Sequence, residues 1–186
     1  MPLDNANAAV NTAAEPVRFY YGCLFCATGY EAEVVSALRI ALDISAIAPV
    51  RQHYYRNKGE MVVSETRVFP GYVFFRLETP DYPLSRLRTI ANVLRVVHYG
   101  QDEWALQGDD EAMAERLFKS GGVIGLSRAK FVDGRLRIID GFLKPYEKDI
   151  CKVDKRHRTA MVRAKIDNRT MELWMGYYLD DDGDQQ

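Results

Sequence analysis

Phe69-Pro70-Gly71-Tyr72-Val73-Phe74-Phe75 sets a tight turn directly against an apolar strand. Pro70 fixes its own φ and donates no backbone hydrogen bond, while Gly71 permits positive φ. In the strand that follows, Val73, Phe75 and Leu77 point to one face, and Tyr72, Phe74 and Arg76 to the other. The first face fills a core. The second is aromatic, and it calls either for a partner or for helices of the same chain packed over it.

Upstream, Arg18 to Cys26 reads as a buried strand. Thr28-Gly29-Tyr30-Glu31 matches a capping box, with Thr28 as N-cap and Glu31 reaching back. Val34, Val35, Leu38, Ala41 and Leu42 then recur at helical spacing. After Pro49, the runs Val50 to Arg56 and Met61 to Val68 form a hairpin around Asn57-Lys58-Gly59-Glu60. Downstream of the aromatic strand, Pro80 and Pro83 open a second helix carrying Leu84, Leu87, Arg88 and Ala91 on one side. Val93 to Tyr99 is strand-like. Asp109-Asp110-Glu111 starts a third helix with an apolar stripe at Met113 and Leu117, its carboxylates suiting the positive helix end.

The glycines of Ser120-Gly121-Gly122-Val123-Ile124-Gly125 read as a flexible linker. Beyond it, Arg135 to Asp140, Asp149 to Asp154, Thr159 to Asp167 and Met171 to Tyr178 are short strand-like runs between turn residues, the pattern of a small all-β barrel. The expected fold class is therefore α+β. A disordered Ala/Asn-rich tail covers 1–17. An antiparallel-sheet domain of order β-α-β-β-β-α-β-α covers 18–119. A linker at 120–129, a barrel at 130–180 and an acidic tail at 181–186 complete the chain.

The 186 residues suffice for one ordinary domain or two small ones, and 47% hydrophobic content implies a packed core. A formal net charge of −1 predicts no global attraction to nucleic acid, leaving local patches to be considered. No apolar run spans a bilayer and no secretory signal is evident, so the cytoplasm is expected and no membrane contact. With three cysteines, a disulfide framework is not expected.

Cys23-Leu24-Phe25-Cys26 is a C-x-x-C lying inside an apolar strand, ahead of the helix cap. Residues three apart on a strand face opposite sides, so core packing is favoured over a redox or zinc site. His53, His98 and His157 show no metal spacing, and no nucleophile, metalloprotease, P-loop or dinucleotide motif occurs. A binding protein without metal or cofactor is expected, not an enzyme. Arg51, His53, Tyr54, Tyr55, Arg56 and Lys58 mix cations with aromatics on one hairpin, which either tracks phosphates and stacks on bases or is an ordinary exposed hairpin. Between Lys152 and Arg169 the cations Lys152, Lys155, Arg156, Arg158, Arg163, Lys165 and Arg169 stand against Asp154 and Asp167, a net +5 in a chain that is otherwise acidic. Asp154 to Arg158 reads as a turn crowning two strands, with His157 among its cations. A solvated face is one reading; a nucleic-acid contact is the favoured one.

Cys26-Ala27-Thr28-Gly29-Tyr30-Glu31, Pro49-Val50, Phe69-Pro70-Gly71-Tyr72-Val73-Phe74 and Gly141-Phe142-Leu143-Lys144 form one ordered series that resembles the NusG family of transcription elongation factors. The resemblance covers nearly the whole chain after the tail. It implies an N-terminal NusG-type α/β domain linked to an SH3-like KOW barrel, with Gly141, Phe142 and Leu143 in the KOW loop. It implies a monomer that rests an apolar patch on the RNA polymerase clamp and suppresses pausing or termination. That patch maps to Tyr21, Phe69, Pro70 and Tyr72, with Val96 or Val97 nearby, and is expected to lie bare in the isolated chain; packing of these aromatics under the chain's own helices is the alternative. The hairpin would lie against upstream or non-template DNA, and the barrel would contact RNA through Lys155, Arg156, His157 and Arg158. Lys152 to Arg158 is similar to the barrel of LoaP-type antiterminators. Two departures stand out: Tyr21-Gly22 replaces the family's usual Trp-Tyr, and Pro145 stands where the KOW loop usually has a second glycine. The rival readings are a stand-alone RNA-binding KOW module of the ribosomal kind and a thiol-redox protein using Cys23 and Cys26.

Overall fold

A computed structural model describes residues 18–99, 103–166 and 169–180. The expected tails at 1–17 and 181–186 lie outside these residues. The first part runs β1 (Tyr20–Cys26), α1 (Glu31–Leu42), β2 (Ser45–Ile47), β3 (Val50–Asn57), β4 (Glu60–Arg67), β5 (Tyr72–Leu77), β6 (Val93–Val96) and α2 (Gly108–Lys119). The second runs β7 (Val123–Ile124), β8 (Ser127–Val132), β9 (Arg135–Asp140), β10 (Lys152–Asp154), β11 (Thr159–Ile166) and β12 (Arg169–Leu179). The architecture is α+β, as expected. The central sheet has the order β2-β5-β1-β6, β3 and β4 form a hairpin that adds β7, and the C-terminal strands make a curled sheet β10-β11-β12-β8-β9.

The turn before β5 sets the geometry of the central sheet. Tyr72 N–H donates to the Phe69 carbonyl at 3.0 Å. Pro70 and Gly71 (φ 81°) take the two central positions, as a type II turn requires. The Gly71 carbonyl accepts from Cys26 N–H at 2.8 Å, closing β5 onto β1. Its N–H donates to Glu31 Oε1 at 2.7 Å, and Gly29 N–H donates to Glu31 Oε2 at 3.0 Å. Glu31 is the first residue of α1 and only 3% exposed. The capping box expected at Thr28 is therefore altered. Tyr30 occupies the N-cap without a side-chain bond, because Tyr30 N–H closes a turn on the Ala27 carbonyl. Glu31 serves the β5 turn as well as its own helix start.

Alternation along β5 divides two apolar clusters. Val73, Phe75 and Leu77 join Leu24, Cys26, Val34, Leu38, Leu87 and Val96 on the α1 side. Tyr72 and Phe74 join Tyr21, Cys23, Phe69, Val97 and the α2 residues Met113, Ala114 and Leu117 on the other, and this cluster continues into Ile138, Leu143, Val162 and Tyr177 of the C-terminal strands. The second expected helix is only a short 3-10 segment, Leu84–Thr89, in which Leu87 alone is buried, so no apolar stripe sustains it. The Gly-rich stretch expected as a linker at 120–129 is built into the fold. Val50 N–H donates to the Gly122 carbonyl at 2.9 Å, β7 pairs with β3 in parallel, and β8 begins inside the expected linker at Ser127.

Gly22 explains the first departure from the family pattern. A Cβ there would lie 2.8 Å from Phe75 Cε1 and 2.8 Å from Trp104 Cε3. Its absence lets Trp104 stack on Phe75 at 5.5 Å and 18°. Gly22→Ala is expected to cost about 1–3 kcal/mol by overpacking, read as a lower denaturant midpoint at unchanged slope.

Burial pushes the Glu31 carboxyl upward, but the N–H groups of Gly71, Glu31 and Gly29 and the Arg67 charge outweigh it, leaving the group below its ordinary 4.5. A folded pKa below the unfolded one means that this stabilisation is complete above the ordinary value and is lost as pH falls through the folded one. Glu31→Gln is expected to lower stability at neutral pH by about 1–3 kcal/mol. It also flattens the acid limb of stability against pH, as urea unfolding across that range measures.

Candidate functional site

The residues expected at a polymerase-facing patch do not form a bare surface. Phe69 is 2% and Tyr72 4% exposed. The Phe69 ring packs on Phe74 at 5.5 Å and the Tyr72 ring on Phe25 at 5.1 Å. Tyr21 is buried too, its ring 5.5 Å from Phe118 of α2. Pro70 alone of the set is exposed. Val96 points to the α1 side; Val97 is the residue that shares the Tyr72 face. The expectation of an exposed second face fails because β5 is apolar on both sides and the chain supplies a cover for each, α1 on one and α2 with the C-terminal strands on the other.

The residues expected in a KOW loop hold the C-terminal strands together. Leu143 is fully buried, and its N–H donates to Ser127 Oγ at 3.0 Å. Gly141 has a φ of 99°, and a Cβ there would lie 2.8 Å from Ser127 Cα. Phe142 stacks on Tyr146 at 5.6 Å, and the Tyr146 hydroxyl accepts from Arg116 Nη2 of α2 at 2.5 Å. Pro145 sits in the 3-10 segment Lys144–Asp149 that makes this contact.

The basic hairpin residues separate into two groups. Arg56 and Lys58 are exposed near its tip. Arg51 and His53 sit at its base, half-buried, with Arg51 Nη1 buried and without a hydrogen-bond partner among the described residues. Burial lowers the Arg51 pKa; burial and then the Arg51 charge lower that of His53. Both are less accessible than the open hairpin surface expected of them. The cause is β12, which packs against β3: a Cβ at Gly176 would lie 2.6 Å from the Gln52 carbonyl oxygen. Gly176 is the residue that sequence reading missed. Its signal was a glycine within a strand pattern, which marks a close backbone approach.

The C-terminal cations line up as a surface. Lys152, Lys155, Arg156 and His157 are exposed and Arg158 is half-buried. Arg163 is exposed in β11, 3.9 Å from the Glu172 carboxylate of β12. Lys165 lies in β11, but its side chain is outside the described residues. Asp154 organises the turn: Oδ1 accepts from His157 N–H at 3.0 Å and Oδ2 lies 2.7 Å from His157 Nδ1. The His157 bonds pull the Asp154 carboxyl below its ordinary value. The Lys155 ammonium sits 4.5 Å over the Phe131 ring, and the Arg158 guanidinium 5.4 Å over Tyr54 of β3. The turn expected on the barrel and the hairpin expected on the first domain are thus neighbours.

Cys23 and Cys26 are free and buried, and Cys151 is free and exposed. Burial, aided by the Glu31 charge, pushes the Cys26 thiol up to about 11. Such a thiol is a poor nucleophile at neutral pH. Among the described residues no helix is long and apolar enough to cross a membrane. Aromatic thiol titration of the native chain is expected to count one fast-reacting cysteine, Cys151, with Cys23 and Cys26 reacting only after denaturation. Fast disulfide exchange at Cys26 is the result that would revive a redox role.

Comparison with known proteins bears on the first domain. The family model described as transcription termination factor NusG matches residues 19–115. A solved structure titled "Domain interaction in Thermotoga maritima NusG" superposes with a TM-score of 0.49 at 18% identity, covering 86% of this chain and 94% of that chain. None of the curated proteins matches.

Proposed function

The chain belongs to the NusG family of transcription factors, and on that premise we propose that it is a non-enzymatic elongation or antitermination factor. It holds RNA polymerase through its first domain and carries its C-terminal barrel to RNA. The observation that carries the reading is a coincidence. The segment matched by the family, 19–115, contains the sheet whose second face bears Tyr21, Phe69 and Tyr72.

The polymerase contact in this reading is that face, with Pro70 at its edge and Val97 in place of Val96. Because the rings are buried against α2 and the cluster that continues into the C-terminal strands, polymerase binds by displacing part of the cover. Aromatic side chains released this way are strong anchors for a partner. The work is done by differential binding: the factor favours the polymerase state that resists pausing. Arg56 and Lys58 at the hairpin tip face nucleic acid near the polymerase. RNA is the second ligand, held by the exposed cations of the turn Lys155 to Arg158.

A second reading is favoured by the same exposed turn: an RNA-binding module that acts without polymerase. The two separate cleanly. Core RNA polymerase and the purified chain are expected to co-migrate on gel filtration, and pause lifetimes in a single-round transcription assay to change when the chain is added. RNA binding without co-migration, and with pausing unaltered, would establish the second reading.

A further inference from the structure

Register along the hairpin fixes which side chains share a face. Tyr54 pairs with Val63 and Arg56 with Met61, so these four project together. The turn between β10 and β11 lies against that face. Tyr54, Arg56, Met61, Arg156 and His157 line a cleft of about 60 Å³. That is room for about four waters, comparable to one phosphate group and less than a nucleobase. Among the described residues no carboxylate lines it. The acid of the turn, Asp154, is engaged by His157.

Two guanidinium groups that are far apart in sequence therefore open on one phosphate-sized space. Gathering like charges is unfavourable unless an anion enters between them, and guanidinium forks match phosphate oxygens. Beside the cleft, Met61 and Val63 of the same face are exposed and apolar, a surface against which unpaired bases can lie.

We infer that the hairpin and the barrel turn form one composite site for a phosphate of single-stranded RNA, with Arg56 and Arg156 as the ligands supplied by the two domains. This rests on the RNA contact proposed above and adds that the site is complete only while the domains are packed together. The close approach of β12 to β3 at Gly176 is what brings them into register.

The test is fluorescence anisotropy of a labelled single-stranded RNA oligonucleotide with the full chain over a series of salt concentrations. It compares the parent with Arg56→Gln, Arg156→Gln and the double variant. Both arginines are exposed, and the conservative Arg56→Lys and Arg156→Lys control for folding. One oligonucleotide is expected per chain. Each Gln substitution lowers the slope of log affinity against log salt by about 0.7 and the double by about 1.4, and the Lys variants keep the parent slope. The deoxy strand of the same sequence binds more weakly. A parent-like slope for Arg56→Gln alongside a lowered one for Arg156→Gln overturns the composite site while leaving RNA contact by the barrel standing. Two oligonucleotides per chain, a slope unmoved by either substitution, or equal affinity for RNA and DNA also overturns it. A parent chain that binds no RNA overturns the barrel contact as well.

Discussion

The hydrogen bond from Gly71 N–H to the buried Glu31 carboxylate is the constraint on which the first domain depends. Gly71 spends both of its backbone groups on neighbours, the N–H on the start of α1 and the carbonyl on the end of β1. A residue at φ 81° can do this without strain only if it lacks a side chain. A buried carboxylate is unfavourable in isolation, but it is offset here by two N–H donors and by its place in the first turn of a helix. The turn then holds β5 in register with β1, Tyr72 opposite Phe25 and Phe74 opposite Cys23. A one-residue slip would exchange the contents of the two clusters. The division of the aromatics between the α1 side and the α2 side is thus a consequence of one bond.

What was legible in the sequence was local. Strand alternation assigned Val73, Phe75 and Leu77 to one face and Tyr72 and Phe74 to the other, and the structure keeps that division. The hairpin around Lys58 and Gly59 and the helix starting near Asp109 follow from turn chemistry and charge. Covering partners were not legible. Period-2 patterning says which residues face together, never what lies across from them, so a second aromatic face could not be told from a docking surface. Gly122 misled for a related reason. Glycine signals a permissive backbone, and here the permission is used for close packing on Ile47, 3.2 Å from a hypothetical Cβ, instead of for flexibility. Trp104 shows the same non-local logic: a ring from a distant loop fills the space that Gly22 leaves beside Phe75.

Charge was legible as composition and incomplete as geometry. The run from Lys152 to Arg169 was recognisable, and Lys155, Arg156 and His157 at its turn are exposed. The hairpin was read as one basic unit, yet its base and tip have different fates. Arg51 and His53 are taken up by the approach of β12, a contact between residues on opposite sides of the Gly-rich stretch. Arg56 and Lys58, beyond that contact, remain at the surface. Nothing in the hairpin's own sequence distinguishes the two ends; Gly176 does.

Burial of Phe69 and Tyr72 changes what a docking partner must supply. A fully buried large apolar side chain is worth about 1.5–3 kcal/mol relative to an exposed one, so a partner that takes both rings competes with the chain's own cover by several kcal/mol. That is the scale, about 5.5 kcal/mol, on which a ligand inverts a two-state population from 1:99 to 99:1. Only affinity that differs between the covered and uncovered states counts. On the proposed function, polymerase draws on the uncovered state; on the inferred site, RNA between Arg56 and Arg156 draws on the packed one. Linkage would then make the two proposed ligands antagonists although their sites do not overlap. Each weakens the other by the same factor, and the factor vanishes if the barrel turn binds RNA without the hairpin. On that proposal, the order in which transcript and polymerase meet the protein is set by the interface between its two halves, the surface where β12 crosses β3.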